Sequence, residues 1–433
     1  MVALRQFTTL DDWLAWLETL HPKKIDLSLN RIRTVLDALD LRTPAYRVIT
    51  VGGTNGKGSC VALLECIYQS AGYGVGAFTS PHLWRFNERV RCNGIELSDA
   101  ALIEAFERIE AARARVTLSY FEYSAVAAML HFATQRLDVA ILEVGMGGRL
   151  DAVNALDADA AMIVSVDLDH EEWLGADREA IGHEKAGIMR TARPVIVADR
   201  NPPRSVLTAV ERTGAVAILI GRDFDYVDGP QGFSYVGPGS VRERLPRPGF
   251  GGGVQLANAA ACVALVDALQ RELPVERSAV ARGLAEARVA GRLESHELEG
   301  VEWVFDVAHN PAAARCFAEA LDARAPARRT LAVFGAMADK ALADVLEHFA
   351  GRVDAWFIGR VDSERSASVE SIGALLAARG GLVWQGHEDI AAACRAARDQ
   401  ALPGQRVLVF GSFYVVGPAM AELGIYSPVL SKG

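Results

Sequence analysis

Short, continuous apolar runs recur along this chain and alternate with segments of helical periodicity. Residues 48–51, 74–79, 139–144, 161–166, 195–198 and 216–220 are such runs. They lack the alternation of a half-exposed strand, which predicts strands covered on both faces. Residues 60–70, 98–114 and 123–135 read as helices between them. Strand and helix in alternation predict a parallel sheet with helices on its faces. Between Asp223 and Gly253 the pattern changes. Phe224, Tyr226, Phe233 and Tyr235 alternate with polar residues, and glycines and prolines are dense. That predicts a small antiparallel patch followed by a loop; Gly249 to Gly253 lack the strand-to-helix context of a phosphate cradle, the alternative for such a run, and are read as plain loop.

Two helical segments, 255–269 and 275–287, come next. After Gly291-Arg292 the alternation restarts, with strands at 303–305, 330–334, 355–358 and 406–410. Helices are expected from Pro311, Lys340 and Val369. This second stretch has the size of a domain. The reading is therefore α/β throughout: a larger P-loop sheet unit over 1–290 and a smaller Rossmann-like unit over 291–433.

The chain has 433 residues, 51% hydrophobic and 23% charged, with net charge −9. That suits a globular protein with ample core and offers no basic surface for nucleic acid. The start of the chain, with Asp11, Asp12, Trp13, Trp16 and Leu17, reads as an amphipathic helix and not as a signal peptide. No stretch is apolar and long enough to span a bilayer. Cys60, Cys66, Cys92, Cys262, Cys316 and Cys394 are scattered without metal spacing. They are read as reduced thiols of a cytoplasmic protein.

The chemistry concentrates at the carboxyl ends of the expected strands, where open parallel sheets bind ligands. Strand 48–51 runs into Gly52-Gly53-Thr54-Asn55-Gly56-Lys57-Gly58-Ser59 and then a helix. Glycines let backbone N–H groups face a polyphosphate, the helix N-terminus adds positive charge, and the lysine reaches the outer phosphates. The Ser59 hydroxyl suits Mg²⁺. The spacing departs from the common phosphate loop, because Gly58 separates Lys57 from Ser59. Glu143, ending its strand, is the natural magnesium partner. His170 follows Asp167-Leu168-Asp169 after another strand, and Ser80 follows a third. Asp306 and His309-Asn310-Pro311 hold the equivalent place in the second unit. Lys185, in His183-Glu184-Lys185-Ala186-Gly187, reads on residues alone as a surface lysine.

These residues together resemble the folylpolyglutamate synthases, relatives of the Mur peptidoglycan ligases. Besides the phosphate loop, the matches include Thr79-Ser80-Pro81-His82-Leu83, Asn87-Glu88-Arg89-Val90 and Phe121-Glu122-Tyr123. They continue with Leu142-Glu143-Val144-Gly145-Met146-Gly147-Gly148-Arg149-Leu150-Asp151-Ala152 and Leu168-Asp169-His170. Glu184-Lys185-Ala186-Gly187-Ile188, Phe305-Asp306-Val307-Ala308-His309-Asn310-Pro311 and Phe410-Gly411-Ser412-Phe413 complete the set. The early Ile25-Asp26-Leu27-Ser28-Leu29-Asn30-Arg31 is similar to the bifunctional bacterial branch, which also has dihydrofolate synthase activity.

The resemblance implies roles. Thr54, Asn55, Gly56, Lys57, Gly58 and Ser59 would bind ATP phosphates. Ser80, Glu143 and His170 would hold Mg²⁺. Lys185 matches a lysine carbamylated by CO₂, which reverses its reading as a surface residue and adds it to the metal site. Asn258, Arg292 and Asp306 match nucleotide positions, with His309 in the same motif. Asp26, Leu27, Ser28, Leu29, Tyr120, Phe121, Glu122, Leu150, Asp151 and Ala152 match pterin positions. Lys57, His170 and Lys185 would serve the chemistry. The implied cofactors are ATP and Mg²⁺, with room in the family for a second Mg²⁺ and a monovalent cation. The implied substrates are dihydropteroate, tetrahydrofolate and L-glutamate, in a monomer without nucleic-acid or membrane partners.

The implied reaction is ATP-dependent ligation of glutamate through an acyl phosphate. An enzyme limited to polyglutamate extension is the alternative. A P-loop kinase does not explain the second unit, and a non-catalytic nucleotide switch does not explain Lys57, Glu143 and His170 together. Two departures stand out. Val153 replaces the usual threonine, which is expected to affect substrate preference at the pterin site, and Ser124 replaces a glycine.

Overall fold

The computed structural model describes residues 7–23, 26–238, 240–379 and 383–426. Ile25 of the early motif and the first six residues of the expected N-terminal helix lie outside them. The chain opens with helix Leu10–Leu20, capped by the Thr9 side chain, followed by helix Asn30–Ala38. The first sheet contains β1 (Arg47–Gly52), β2 (Val75–Phe78), β3 (Val90–Cys92), β4 (Ile95–Glu96), β5 (Val139–Glu143), β6 (Ala160–Ile163), β7 (Pro194–Val197) and β8 (Val216–Leu219). Their spatial order is β4-β3-β2-β5-β1-β6-β7-β8. The six apolar runs form the parallel part, and all but the edge strand β8, where Val216 is exposed, are covered on both faces as expected. β3 and β4 pair antiparallel at the edge. The sequence reading missed them because they are short and carry Arg91 and Glu96.

β1 lies between β5 and β6, with Val51 level with Glu143 and Gly52 level with Ile163. That register sets the phosphate loop beside the Glu143 strand end. The helix after β1 spans Lys57–Ser70, so it begins three residues earlier than expected. Its cap is Gly56 at φ 86°, a conformation that favours glycine. A Cβ there would also stand 2.8 Å from Val164 Cγ1.

Hydrophobic clusters cover both faces of this sheet. One includes Trp13, Phe106 and Tyr123. The other joins Lys57–Ser70 to helices Val254–Ala268 and Arg277–Glu286. The aromatic, glycine-rich stretch forms the antiparallel β9 (Asp225–Gly229), β10 (Gly232–Gly237) and β11 (Ser240–Leu245).

The third sheet holds β12 (Glu294–Leu298), β13 (Val301–Asp306), β14 (Thr330–Phe334), β15 (Ala355–Gly359), β16 (Val383–His387) and β17 (Arg406–Phe410). Its order is β12-β13-β17-β14-β15-β16, parallel except for β12. Helix Phe413–Glu422 leans on the first unit: a Cβ at Gly417 would overlap the Leu83 carbonyl, and Tyr426 donates to Glu88 at 2.6 Å. Among the described residues, no helix is long and apolar enough to cross a membrane.

Candidate active site

The phosphate loop is tied to the segment after β6. Thr54 Oγ1 donates to the Asp167 carbonyl and accepts from the Asp167 N–H, each at 3.0 Å. Asn55 N–H donates to Ser165 Oγ at 3.0 Å. Lys57 Nζ folds over the loop to the Gly53 and Thr54 carbonyls at 3.0 and 3.2 Å. Ser59 Oγ is buried and, among the described residues, has no hydrogen-bond partner.

A cleft of about 990 Å³ opens beside this loop. Asn55, Gly56, Ser59, Asn258, Arg292 and Asp306 line it, whereas Thr54, Lys57, Gly58 and His309 do not. Gly251 to Gly253 also line it, so the glycine loop taken as plain is part of the cleft wall. Asp306 is the last residue of β13, not the first beyond it. Its carboxylate accepts from Leu293 N–H at 3.0 Å and Ala308 N–H at 2.9 Å, which pins the turn carrying Arg292. Burial pushes this carboxyl up, against the opposing charge of Arg292.

Glu143, the last residue of β5, is buried. Its Oε2 lies 3.5 Å from where a Cβ at Gly58 would sit and accepts the Ser80 N–H at 3.2 Å. Burial raises its pKa, offset by Lys57, the Ser80 N–H and Arg292. His170 does not follow β6 directly, since the strand ends at Ile163. It heads the short helix Glu171–Leu174 at φ 52°. Burial lowers its pKa, and the Asp169 carboxylate works the other way.

Lys185 is buried at 4% exposure, so the structure overturns its reading as a surface lysine. Burial, assisted by the charge of Lys57, brings its pKa down to about 7. Helix Arg178–Ala186 buries Ile181 and Lys185 together. Their i,i+4 spacing is the signal that would have revealed it.

Among the described residues, no three His, Cys, Asp or Glu side chains converge as a ready metal cage. The unpartnered Ser59 hydroxyl near the loop and the buried Glu143 carboxylate still fit a hard cation that also takes phosphate oxygens.

A second cleft, of about 420 Å³, lies between the two units. Asp26, Leu27, Ser28, Tyr120, Phe121, Glu122, Leu150, Asp151 and Ala152 line it, with Ser80, His170 and His309 at the same cavity. Leu29 does not line it and instead precedes helix Asn30–Ala38. Asp151 accepts from the Met146 and Val153 N–H groups at 2.9 and 3.0 Å, and burial pushes its carboxyl up to about 7. Val153 is fully buried and absent from the lining, so its missing hydroxyl does not face the cleft. Ser124 donates to the Tyr120 carbonyl at 2.7 Å, within its own helix.

Residues outside the sequence-derived set complete this cleft, among them Arg89, Lys340, Arg365, Ser412 and Tyr414. Arg89 donates from Nε to His82 Nδ1 at 2.8 Å and lies 5.5 Å from the rings of Phe86 and Tyr120. Ser412 Oγ is buried and unpartnered among the described residues. It belongs to a motif already quoted and lies two residues past the end of β17, which was the available signal. The two units also meet through Asn310, whose Nδ2 donates to Asn55 Oδ1 at 3.1 Å.

Residues 51–228 match the Mur ligase middle domain, and residues 291–413 match the Mur ligase glutamate ligase domain. The dihydrofolate synthase/folylpolyglutamate synthase of Escherichia coli strain K12 is 40% identical over 411 residues, covering 95% of this chain and 94% of that protein. E. coli FolC in complex with DHPP and ADP superposes with a TM-score of 0.91 at 38% identity, covering 97% of this chain and 99% of that one. A bifunctional folylpolyglutamate synthase/dihydrofolate synthase with Mn, AMPPNP and L-glutamate bound gives a TM-score of 0.89 at 38% identity, covering 97% and 100%.

Proposed function

The chain belongs to the Mur ligase family, in its dihydrofolate synthase/folylpolyglutamate synthase branch, and from that premise we propose that it joins L-glutamate to dihydropteroate and to folates using ATP. The observation that carries the reading is the place of Glu143. Its buried carboxylate lies 3.5 Å from where a Cβ at Gly58 would stand and accepts the N–H of Ser80, a residue of the second cleft. Nucleotide in the first cleft and acceptor carboxylate in the second would meet there.

Units 1–290 and 291–433 would each supply part of both clefts. Thr54 to Ser59 would hold the ATP phosphates, with Asn258, Arg292 and Asp306 on the nucleotide side, whereas His309 faces the second cleft and not the first. Ser80, Glu143, His170 and a carbamylated Lys185 would hold Mg²⁺, joined by the Ser59 hydroxyl. Bound there, the cation would neutralise phosphate charge during transfer. A carbamate on Lys185 would turn a cation into an anionic oxygen acceptor.

The acceptor carboxylate attacks the γ-phosphorus, ADP leaves, and an acyl phosphate results. Lys57 offsets charge on the transferred group. The α-amino group of glutamate then attacks the acyl carbon and loses a proton, and inorganic phosphate leaves. Both units wall the second cleft, which keeps water from the acyl phosphate. Within the second cleft, Asp26, Leu27, Ser28, Tyr120, Phe121, Glu122, Leu150, Asp151 and Ala152 would receive the pterin portion. The enzyme is read as a cytoplasmic monomer.

Phosphate release with ATP and glutamate tests the proposal, comparing dihydropteroate with tetrahydrofolate as acceptor. Release with both supports the bifunctional reading. Release with tetrahydrofolate alone leaves an enzyme restricted to polyglutamate extension. Release with neither removes the ligase reading.

A further inference from the structure

Residues 26 to 28 form one wall of the second cleft but belong to no strand or helix. A neighbouring wall is formed by Ser119 to Glu122, at the start of helix Tyr120–Thr134. Something must hold an irregular segment at a fixed distance from that helix.

Arg31 is placed to do so. Its NH2 donates to the Asp26 carbonyl at 2.8 Å, and its NH1 pairs with Asp26 Oδ1 at 3.1 Å. On the other side, Nε and NH2 reach Glu122 Oε2 and Oε1 at 3.3 and 3.1 Å. Glu122 is itself fixed, because Oε2 accepts the Ser119 N–H at 2.8 Å as part of the helix cap. Asp26 has further support from His21 Nε2 at 3.3 Å and Lys23 Nζ at 3.8 Å, but neither reaches Glu122. Arg31 does not line the cleft, so any influence on substrate passes through its partners.

We propose that Arg31 is a positioning residue for the pterin end of the acceptor, a clasp that sets the separation of the two cleft walls. The planar guanidinium donates in several directions at once, which lets it satisfy both Asp26 and Glu122. Lysine, a single ammonium on a flexible stem, cannot reproduce that geometry. Without the clasp, two carboxylates lie across the gap without their shared cation, and residues 26 to 28 lose their tie to the helix. The phosphate loop depends on other residues and is unaffected.

The inference rests on the ligase reading, and the test separates the two. The KM for dihydropteroate should rise about tenfold in Arg31→Met, the factor expected for a lost charge-assisted contact. The KM values for ATP and glutamate, and kcat at saturating pterin, should stay within about twofold. Hydrogen exchange of the peptide containing residues 26 to 29 should quicken, with the phosphate-loop peptide unchanged. Arg31→Lys should raise the pterin KM by a smaller factor, and it decides the matter if the methionine variant does not fold. A pterin KM within twofold of wild type in the folded variant, or unchanged exchange at 26 to 29, overturns the clasp. If the wild-type enzyme turns over neither dihydropteroate nor tetrahydrofolate, the ligase reading falls, and hydrogen exchange alone decides whether the clasp exists; if it turns over tetrahydrofolate only, the KM comparison is made with tetrahydrofolate.

Discussion

Lys340 Nζ lies 2.8 Å from Asp169 Oδ1, an ion pair that joins the second unit to the first. The other carboxylate oxygen faces His309 Nε2 at 3.9 Å and His170 Nε2 at 3.8 Å. Burial would raise the Asp169 carboxyl, but His309, His170 and Lys340 hold it well below the usual carboxylate range. A carboxyl depressed in the folded state contributes stability above its unfolded pKa, lost only as pH falls through the lower folded value. The contact should therefore persist through mildly acidic conditions. Lys340 also lines the second cleft, so the pair couples approach of the units to completion of that cleft.

Replacing Asp169 with asparagine removes the nearer counter-charge of the Lys340 ammonium, which keeps Asp339 Oδ2 at 3.7 Å in its own unit. Breaking a buried pair costs about 3–5 kcal/mol, and slight exposure places this one at the lower end. Turnover should fall at least about tenfold. Small-angle scattering with a non-hydrolysable ATP analogue should show a larger radius of gyration than wild type. Wild-type turnover and dimensions would remove the pair from any role in closure.

The phosphate loop makes a separate prediction. Lys57 lies in the first turn of its helix and contacts loop carbonyls rather than core. Lys57→Ala should keep the fold and lose about 10²–10³ in turnover, the usual loss for one transition-state charge partner. Circular dichroism reads the fold and steady-state ADP formation reads the chemistry. Near wild-type turnover would contradict the assignment.

Much of this site was legible because its parts are local. A β-branched strand, glycines, a lysine and a serine follow one another from Val48 to Ser59, and Glu143 ends an unmistakable apolar run. Asp169 and Lys340 are 171 positions apart, and Arg31 and Glu122 are 91 apart. Periodicity reveals which residues face a core, but not which charged groups face each other across a cleft. Lys185 was misread because His183 and Glu184 made its helix look polar, although Ile181 one turn earlier marks the buried face. The edge strands β3 and β4 are too short, and too charged, to register as apolar runs.

Val153 gives a prediction that runs against the sequence expectation. Its side chain is fully buried beyond the cleft wall, with its N–H bound to Asp151. Val153→Thr should leave the KM for dihydropteroate within about twofold. Burying a hydroxyl without a partner costs about 1–3 kcal/mol, so the thermal midpoint should drop. A large change in the pterin KM at unchanged stability would show that position 153 reaches the substrate.

Lys185 sets the most demanding test. A carbamate forms only on the neutral amine, and burial brings this lysine's pKa down to about 7 from 10.5. The neutral fraction should therefore grow as pH rises through about 7, rather than through the usual lysine range. The sign for stability is the same. Between the folded and unfolded values the unfolded state binds more protons, so stability without CO₂ should rise with pH across that window. Activity recovered after equilibration with bicarbonate should climb between pH 6 and 8, and CO₂-free enzyme should lag at every pH. Lys185→Ala should lose activity, with short carboxylic acids restoring part of it by supplying the missing oxygens. Crystal density is the direct measurement, since the carbamate is labile to acid. A bare ammonium at Lys185 in fully active, bicarbonate-equilibrated enzyme would refute the modification and leave Glu143, Ser80 and His170, with the Ser59 hydroxyl, as the proposed metal set.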